Sequence, residues 1–147
     1  MKPLRLPATL DSLEKIHTYV IEAATEAGLD AKAAYGLRLA VDEIATNIIT
    51  HGYEEAGRSG DIIVSGDLTD SSLSIVLEDA GVPFDPRSRK LPDGEDLKLP
   101  LEKRPIGGLG IYLVLKNVDA FNYERVNGRN RNIFIMKRHR TVTGETG

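Results

Sequence analysis

The chain contains no cysteine. That excludes disulfides, thiolate chemistry and a Cys-based zinc site, and it fits a reducing compartment. Nor is there a surplus of positive charge: 19 Lys and Arg stand against 22 Asp and Glu, a net charge of −3. The broad basic footprint of a nucleic-acid-binding protein is therefore missing. No apolar run approaches the roughly 20 residues that cross a membrane, and the opening MKPLRLPATL lacks an apolar signal core. A cytoplasmic protein is expected. Internal repeats and domain linkers are also absent. What remains is 147 residues, 41% hydrophobic and 28% charged, the profile of one soluble domain large enough to bury about two-thirds of its unfolded surface.

The most informative stretch runs from Leu37 to Gly52. Leu37, Ala40, Val41, Ile44, Ala45 and Ile48 recur at helical spacing and form one apolar stripe. Glu43 and Asn47 flank that stripe, one above the other at i,i+4. Asn is a poor residue inside a helix because its side chain competes for backbone hydrogen bonds, so its place there requires a reason. Either the pair is an exposed Glu with a hydrogen-bonded Asn at the core edge, or it faces a ligand.

Upstream, Leu4, Leu6 and Ala8 alternate with Arg5 and Pro7, the pattern of a short edge strand. Thr9 or Asp11 can cap the helix that follows, with Glu14 completing a capping box after Asp11. Leu10, Leu13, Ile16, Val20, Ile21 and Ala24 give that helix its apolar face, and Gly28 is a suitable stop. His17 lies near this face, where a lone histidine is more often packed than catalytic, and no partner has metal-ligand spacing. Asp30 caps the next helix, which ends near Gly52.

Two strands are predicted, Asp61 to Leu68 and Ser72 to Glu78, joined by a short turn. Leu73, Ile75 and Leu77 share one face by period 2, and the next residue on that face is Asp79. An acidic group thus points inward at the end of a buried row. Gly81, two residues on, permits a close approach of a flat ligand or of backbone, although Asp-x-Gly is also an ordinary turn. Asp85 to Pro105 holds 11 charged residues and four prolines in 21 positions, which suits a lid or binding loop. It leads into Gly107, Gly108 and Gly110, followed by a helix whose Ile111, Leu113, Val114, Leu115 and Val118 are expected to be mostly buried. Glycines at a helix start let backbone N–H groups reach an anion. The motif is not Walker A, since no Lys-Ser/Thr follows, and Leu113 stands where a dinucleotide G-x-G-x-x-G would need its last Gly. The chain closes with a hairpin, Ala120 to Val126 and Arg131 to Lys137, around the type I′ signal Asn127-Gly128. A frayed tail is expected over about 141–147.

In this order and spacing these features resemble the GHKL, or Bergerat, ATP-binding family, most closely its small anti-sigma-factor serine kinases of the RsbW and SpoIIAB type. The resemblance covers nearly the whole chain. Its N box is similar to Glu43 through Asn47 with His51 following. Its first glycine box resembles Asp79, Gly81, Pro83, Phe84 and Asp85, and its second Arg104, Ile106, Gly107, Gly108, Leu109, Gly110 and Ile111. The family resemblance implies an α+β two-layer sandwich: a mixed, mostly antiparallel sheet with about three helices on one face and an ATP lid at about 85–106. It also implies Mg-ATP as cofactor, Glu43 as catalytic base and Asn47 as Mg²⁺ ligand. Adenine would be selected by Asp79, and the triphosphate held by Gly107, Gly108 and Gly110, with Lys103 or Arg104 adding charge. The acceptor would be a serine or threonine on a STAS-domain antagonist, with a sigma factor as a further partner and a homodimer as a common assembly. Two alternatives share the same nucleotide site: a non-catalytic, nucleotide-gated regulatory binder, and a detached histidine-kinase ATPase domain.

Overall fold

A computed structural model describes residues 1–88 and 108–138. Over these the chain forms β1 (Leu4–Pro7), α1 (Leu13–Ala27), α2 (Ala31–Asn47), a π-helical segment (Ile48–Glu54), β2 (Asp61–Leu68), β3 (Ser72–Asp79), α3 (Gly108–Asn117), β4 (Ala120–Val126) and β5 (Arg129–Lys137). The five strands make one sheet in the order β1-β2-β3-β5-β4, with every pairing antiparallel. One face of the sheet carries the three helices. Burial alternates strictly along β3 and β5, so Leu73, Ile75, Leu77, Phe134 and Met136 meet Ile16, Val20, Leu37, Val41, Ile44 and Val114 in a single core. The opposite face bears the ladder Glu78, Arg131 and Glu124, in which Arg131 bonds both carboxylates at 3.0 and 2.9 Å.

Local chemistry fixes the element ends. Gly28 stops α1 in the left-handed region at φ 76°, and the Asp30 carboxylate accepts the Ala33 N–H at 2.7 Å to start α2. Asn127 and Gly128 both have positive φ, 52° and 77°, as a type I′ turn requires. The expected Asp11–Glu14 capping box is replaced. A 3₁₀ turn at Leu10–Ser12 precedes α1, and the Ser12 hydroxyl donates to the Pro7 carbonyl at 2.6 Å. In α3, Ile111, Val114 and Val118 are buried as expected, whereas Leu115 is 44% exposed because it falls on the solvent side of a helix covered on one face only.

The β1 edge of the sheet is blunted by sequence. The Ala8 N–H bonds Gly60 at 2.8 Å, so by antiparallel alternation Leu4 and Leu6 face β2 while Pro3, Arg5 and Pro7 present their backbone outward. Two of those three residues have no N–H to offer.

Candidate functional site: a cleft between α2 and the end of β3

Asp79 is the last residue of the inward row of β3 and is 1% exposed. Its Oδ1 accepts the Gly81 N–H at 2.8 Å and the Asn130 side-chain amide at 3.0 Å. Its Oδ2 is buried and has no hydrogen-bond partner among the described residues. Burial pushes the carboxyl above its ordinary range, opposed by the hydrogen bonds from Asn130 and Gly81 and by the charges of Arg125 and Arg129. An unpaired buried acceptor is costly unless something donates to it, so this atom identifies where a ligand donor fits.

The segment after α2 shapes the other wall. Past Asn47 the helix widens to i→i+5 bonding, with the Glu55 N–H on Thr50 at 2.9 Å. The Gly52 carbonyl is thereby free to accept the Val82 N–H at 3.3 Å. A Cβ on Gly81 would lie 2.7 Å from the Gly52 oxygen and 3.1 Å from Asp79 Oδ1. The glycine is therefore demanded by the close approach of two backbones, one of the options its position left open. Tyr53, 2% exposed, closes this wall: its hydroxyl donates to the Asp61 carbonyl at 2.9 Å and accepts the Ala80 N–H at 2.8 Å.

Between these walls lies a cleft of about 300 Å³, open mouth included, lined by Ile44, Asn47, Ile48, Gly52, Asp79, Val82, Phe84, Pro86, Asn130 and Asn132. Asn47 and Asp79, named from separate elements of the sequence, thus share one cavity. Phe84 supplies an apolar wall. Gly81 sits behind the lining, and Pro83 is not part of it. His51 bonds Glu55 at 2.8 Å and is not a lining residue. Glu43 is half-buried one turn before Asn47 and does not line the cleft, and its side chain makes no hydrogen bond with another described residue. Gly108, Leu109 and Gly110 open α3. Lys103, Arg104, Ile106 and Gly107, the tail at 141–147 and the lid beyond Ser88 lie outside the described residues. His17 is hydrogen-bonded but not packed away: its side chain is 39% exposed and lies 3.2 Å from Arg38 and 3.8 Å from Asp42.

Asn130 and Asn132 are functional candidates that sequence reasoning missed. Their signal was present: Phe134 and Met136 extended backward by period 2 reach both residues, and the register pairs Asn130 with Asp79. Asn132 Oδ1 is a second buried acceptor without a hydrogen-bond partner among the described residues.

This donor and acceptor set fits a purine nucleotide: an acceptor for an amino group, an apolar wall and an amide at the far end. Among the described residues no three His, Asp or Glu gather as a metal cluster. A Mg²⁺ would therefore lean on the Asn47 oxygen and on phosphates, as that ion commonly does. Residues 6–137 match the histidine kinase-like ATPase domain, and the chain belongs to that family. Within it, the chain is 30% identical over 112 residues to the serine-protein kinase RsbW of Bacillus thuringiensis (strain Al Hakam), spanning 76% of this chain and 69% of the relative. It is 31% identical, with the same coverage, to the RsbW of Bacillus cereus (strain B4264). A crystal structure of the RsbU and RsbW domains of a Mycobacterium tuberculosis protein shares the fold, with a TM-score of 0.63 at 17% identity over 96% of this chain. The chain spans 34% of that longer protein.

Proposed function

We propose that this protein is a Mg-ATP-dependent serine/threonine protein kinase that phosphorylates a STAS-domain antagonist and holds a sigma factor as its alternate partner. The reading is carried by one observation: the orphaned Asp79 Oδ2 and the Asn47 amide share one cleft. Support for the activity comes from the relatives named serine-protein kinase RsbW.

Asp79 accepts a hydrogen bond from the exocyclic amino group of adenine, and the same acceptor repels guanine, which has an oxygen there. Phe84, Ile44 and Val82 flank the base. Asn47 would hold Mg²⁺ through its side-chain oxygen, and the bound ion would supply neutralisation of phosphate charge. By the family resemblance, the Gly107, Gly108 and Gly110 amides would receive the triphosphate, and Arg104 or Lys103 would add charge. In transfer, the acceptor hydroxyl oxygen forms a bond to the γ-phosphorus, the bond from that phosphorus to the bridging oxygen breaks, and ADP leaves with the electron pair. Glu43 takes the hydroxyl proton. Positioning and charge neutralisation do most of the work in such transfers.

The second reading is a nucleotide-gated binder that sequesters its partner without chemistry. It is favoured by the position of Glu43 off the cleft lining. Incubation with Mg-ATP and candidate STAS proteins separates the two, since a kinase yields phosphoprotein and a binder only complexes. Under the kinase reading, Glu43→Ala retains ATP affinity and loses about 10²- to 10⁴-fold in transfer rate. Unchanged turnover removes Glu43 from the role of base.

A further inference from the structure

Asn130 is 3% exposed and has every hydrogen-bonding position of its amide engaged. The nitrogen donates to Asp79 Oδ1 at 3.0 Å, to the Val82 carbonyl at 3.0 Å and more weakly to the Gly81 carbonyl at 3.4 Å. The oxygen accepts from Arg125 at 3.0 Å and from the Tyr123 hydroxyl. With acceptors on one side and donors on the other, the amide has one orientation only.

We propose that Asn130 is the positioning residue of base recognition: with the Gly81 N–H it saturates Asp79 Oδ1 and leaves Oδ2 as the sole acceptor for the amino group of adenine. The inference rests on the nucleotide reading of the cleft. Asn130 also ties together three elements that must agree for the base to be read. It anchors the 81–82 loop through two carbonyls, and the β4–β5 hairpin through Arg125, which in turn bonds the Gly81 and Gly128 carbonyls at 3.3 and 3.2 Å. A residue without an amide donor would leave both Asp79 oxygens competing for the Gly81 N–H and for the ligand. The carboxylate could then rotate, and its charge would lose a partner that favours ionisation.

The charged and titratable groups that act on Asp79 are Arg125 from β4, the Tyr53 hydroxyl from the π-helical segment and, from the opposite face where it pairs with Glu78, Arg129 from β5. None of them takes the place of a neutral donor on Oδ1. Aspartate at 130 would keep the shape and the acceptor side toward Tyr123 and Arg125, but would set a second carboxyl against the first. The two would then share a proton.

The test measures binding of ADP, GDP and the diphosphate of purine riboside, which lacks the amino group, to the wild type, Asn130→Leu and Asn130→Asp across pH. In Asn130→Leu the affinity for ADP falls about ten- to a hundredfold, the loss expected for a hydrogen bond to a charged group. Purine riboside diphosphate loses far less, so the preference for an amino group collapses. The pH at which half the ADP affinity is lost moves upward in both variants, further in Asn130→Asp, which carries the test at acid pH if the leucine variant does not fold. An unchanged ADP to purine-riboside ratio and an unchanged pH midpoint overturn the role of Asn130 while leaving the nucleotide site standing. A wild type that binds ADP and purine riboside diphosphate equally overturns base reading by Asp79 itself, and the inference with it.

Discussion

Replacing Tyr53 by Phe removes one oxygen from a ring that stays in place, so the cost is confined to two hydrogen bonds. The hydroxyl gives its proton to the Asp61 carbonyl at 2.9 Å and receives the Ala80 N–H at 2.8 Å. Each backbone group left without a partner costs about 1–3 kcal/mol when water cannot reach it. Ala80 is exposed and Asp61 half-buried, so solvent repairs part of the loss and the low end applies to both. The sum is about 2 kcal/mol, which for a chain of this size lowers the melting temperature by about 4–8 °C. Urea unfolding followed by circular dichroism measures it, with the slope of the transition unchanged because the native surface is unchanged. Since Ala80 adjoins Asp79, nucleotide affinity falls in the same variant. A change in stability within about 0.5 kcal/mol, the range of neutral surface substitutions, would refute the claim that this hydroxyl bolts the β3 end to the π-helical segment.

Gly81→Ala tests the backbone contact on the other side of the loop. The new Cβ meets the Gly52 carbonyl oxygen at 2.7 Å and cannot be relieved by a side-chain rotation. A loss of about 1–3 kcal/mol, with weaker nucleotide binding, is expected in thermal melts and titrations; a stabilised protein would show that the two backbones do not press together. Asp79 also gives a pH signature. Its carboxyl holds a proton to higher pH in the folded protein than in the unfolded chain, where the value is about 3.9. Its contribution to apo stability is thus fully present below the unfolded value and is lost as pH rises through the raised folded value. The stability of the wild type relative to Asp79→Asn should therefore decline with rising pH over that window, and a flat difference would count against burial as the dominant influence on this group.

Much of this arrangement is legible in the residues because it depends on periodicity and turn chemistry. Two-residue alternation along Leu73, Ile75 and Leu77 carries directly to Asp79, and helical spacing from Leu37 to Ile48 sets Asn47 beside the core. Gly28, Asp30 and Asn127-Gly128 act through local backbone preferences that need no tertiary context. What escapes is decided by neighbours far along the chain. The widening of the helix after Asn47 answers to the fit of Gly52 against Gly81 and Val82, which neither segment reveals alone. The capping box at Asp11 gives way because the Pro7 carbonyl is within reach of Ser12. Arg125 reaches the Gly81 carbonyl and Asn130 across the hairpin, contacts that no local pattern announces. Leu115 is apolar by composition and exposed by geometry.

The two imino acids flanking Arg5 bear on how molecules of this protein can meet. An incoming strand laid against that margin finds a single amide hydrogen where three would be expected, so growth of the sheet into a fibre is discouraged at its N-terminal side. Resistance to edge pairing would in that case reside in positions 3 and 7, neither of which lines the cleft.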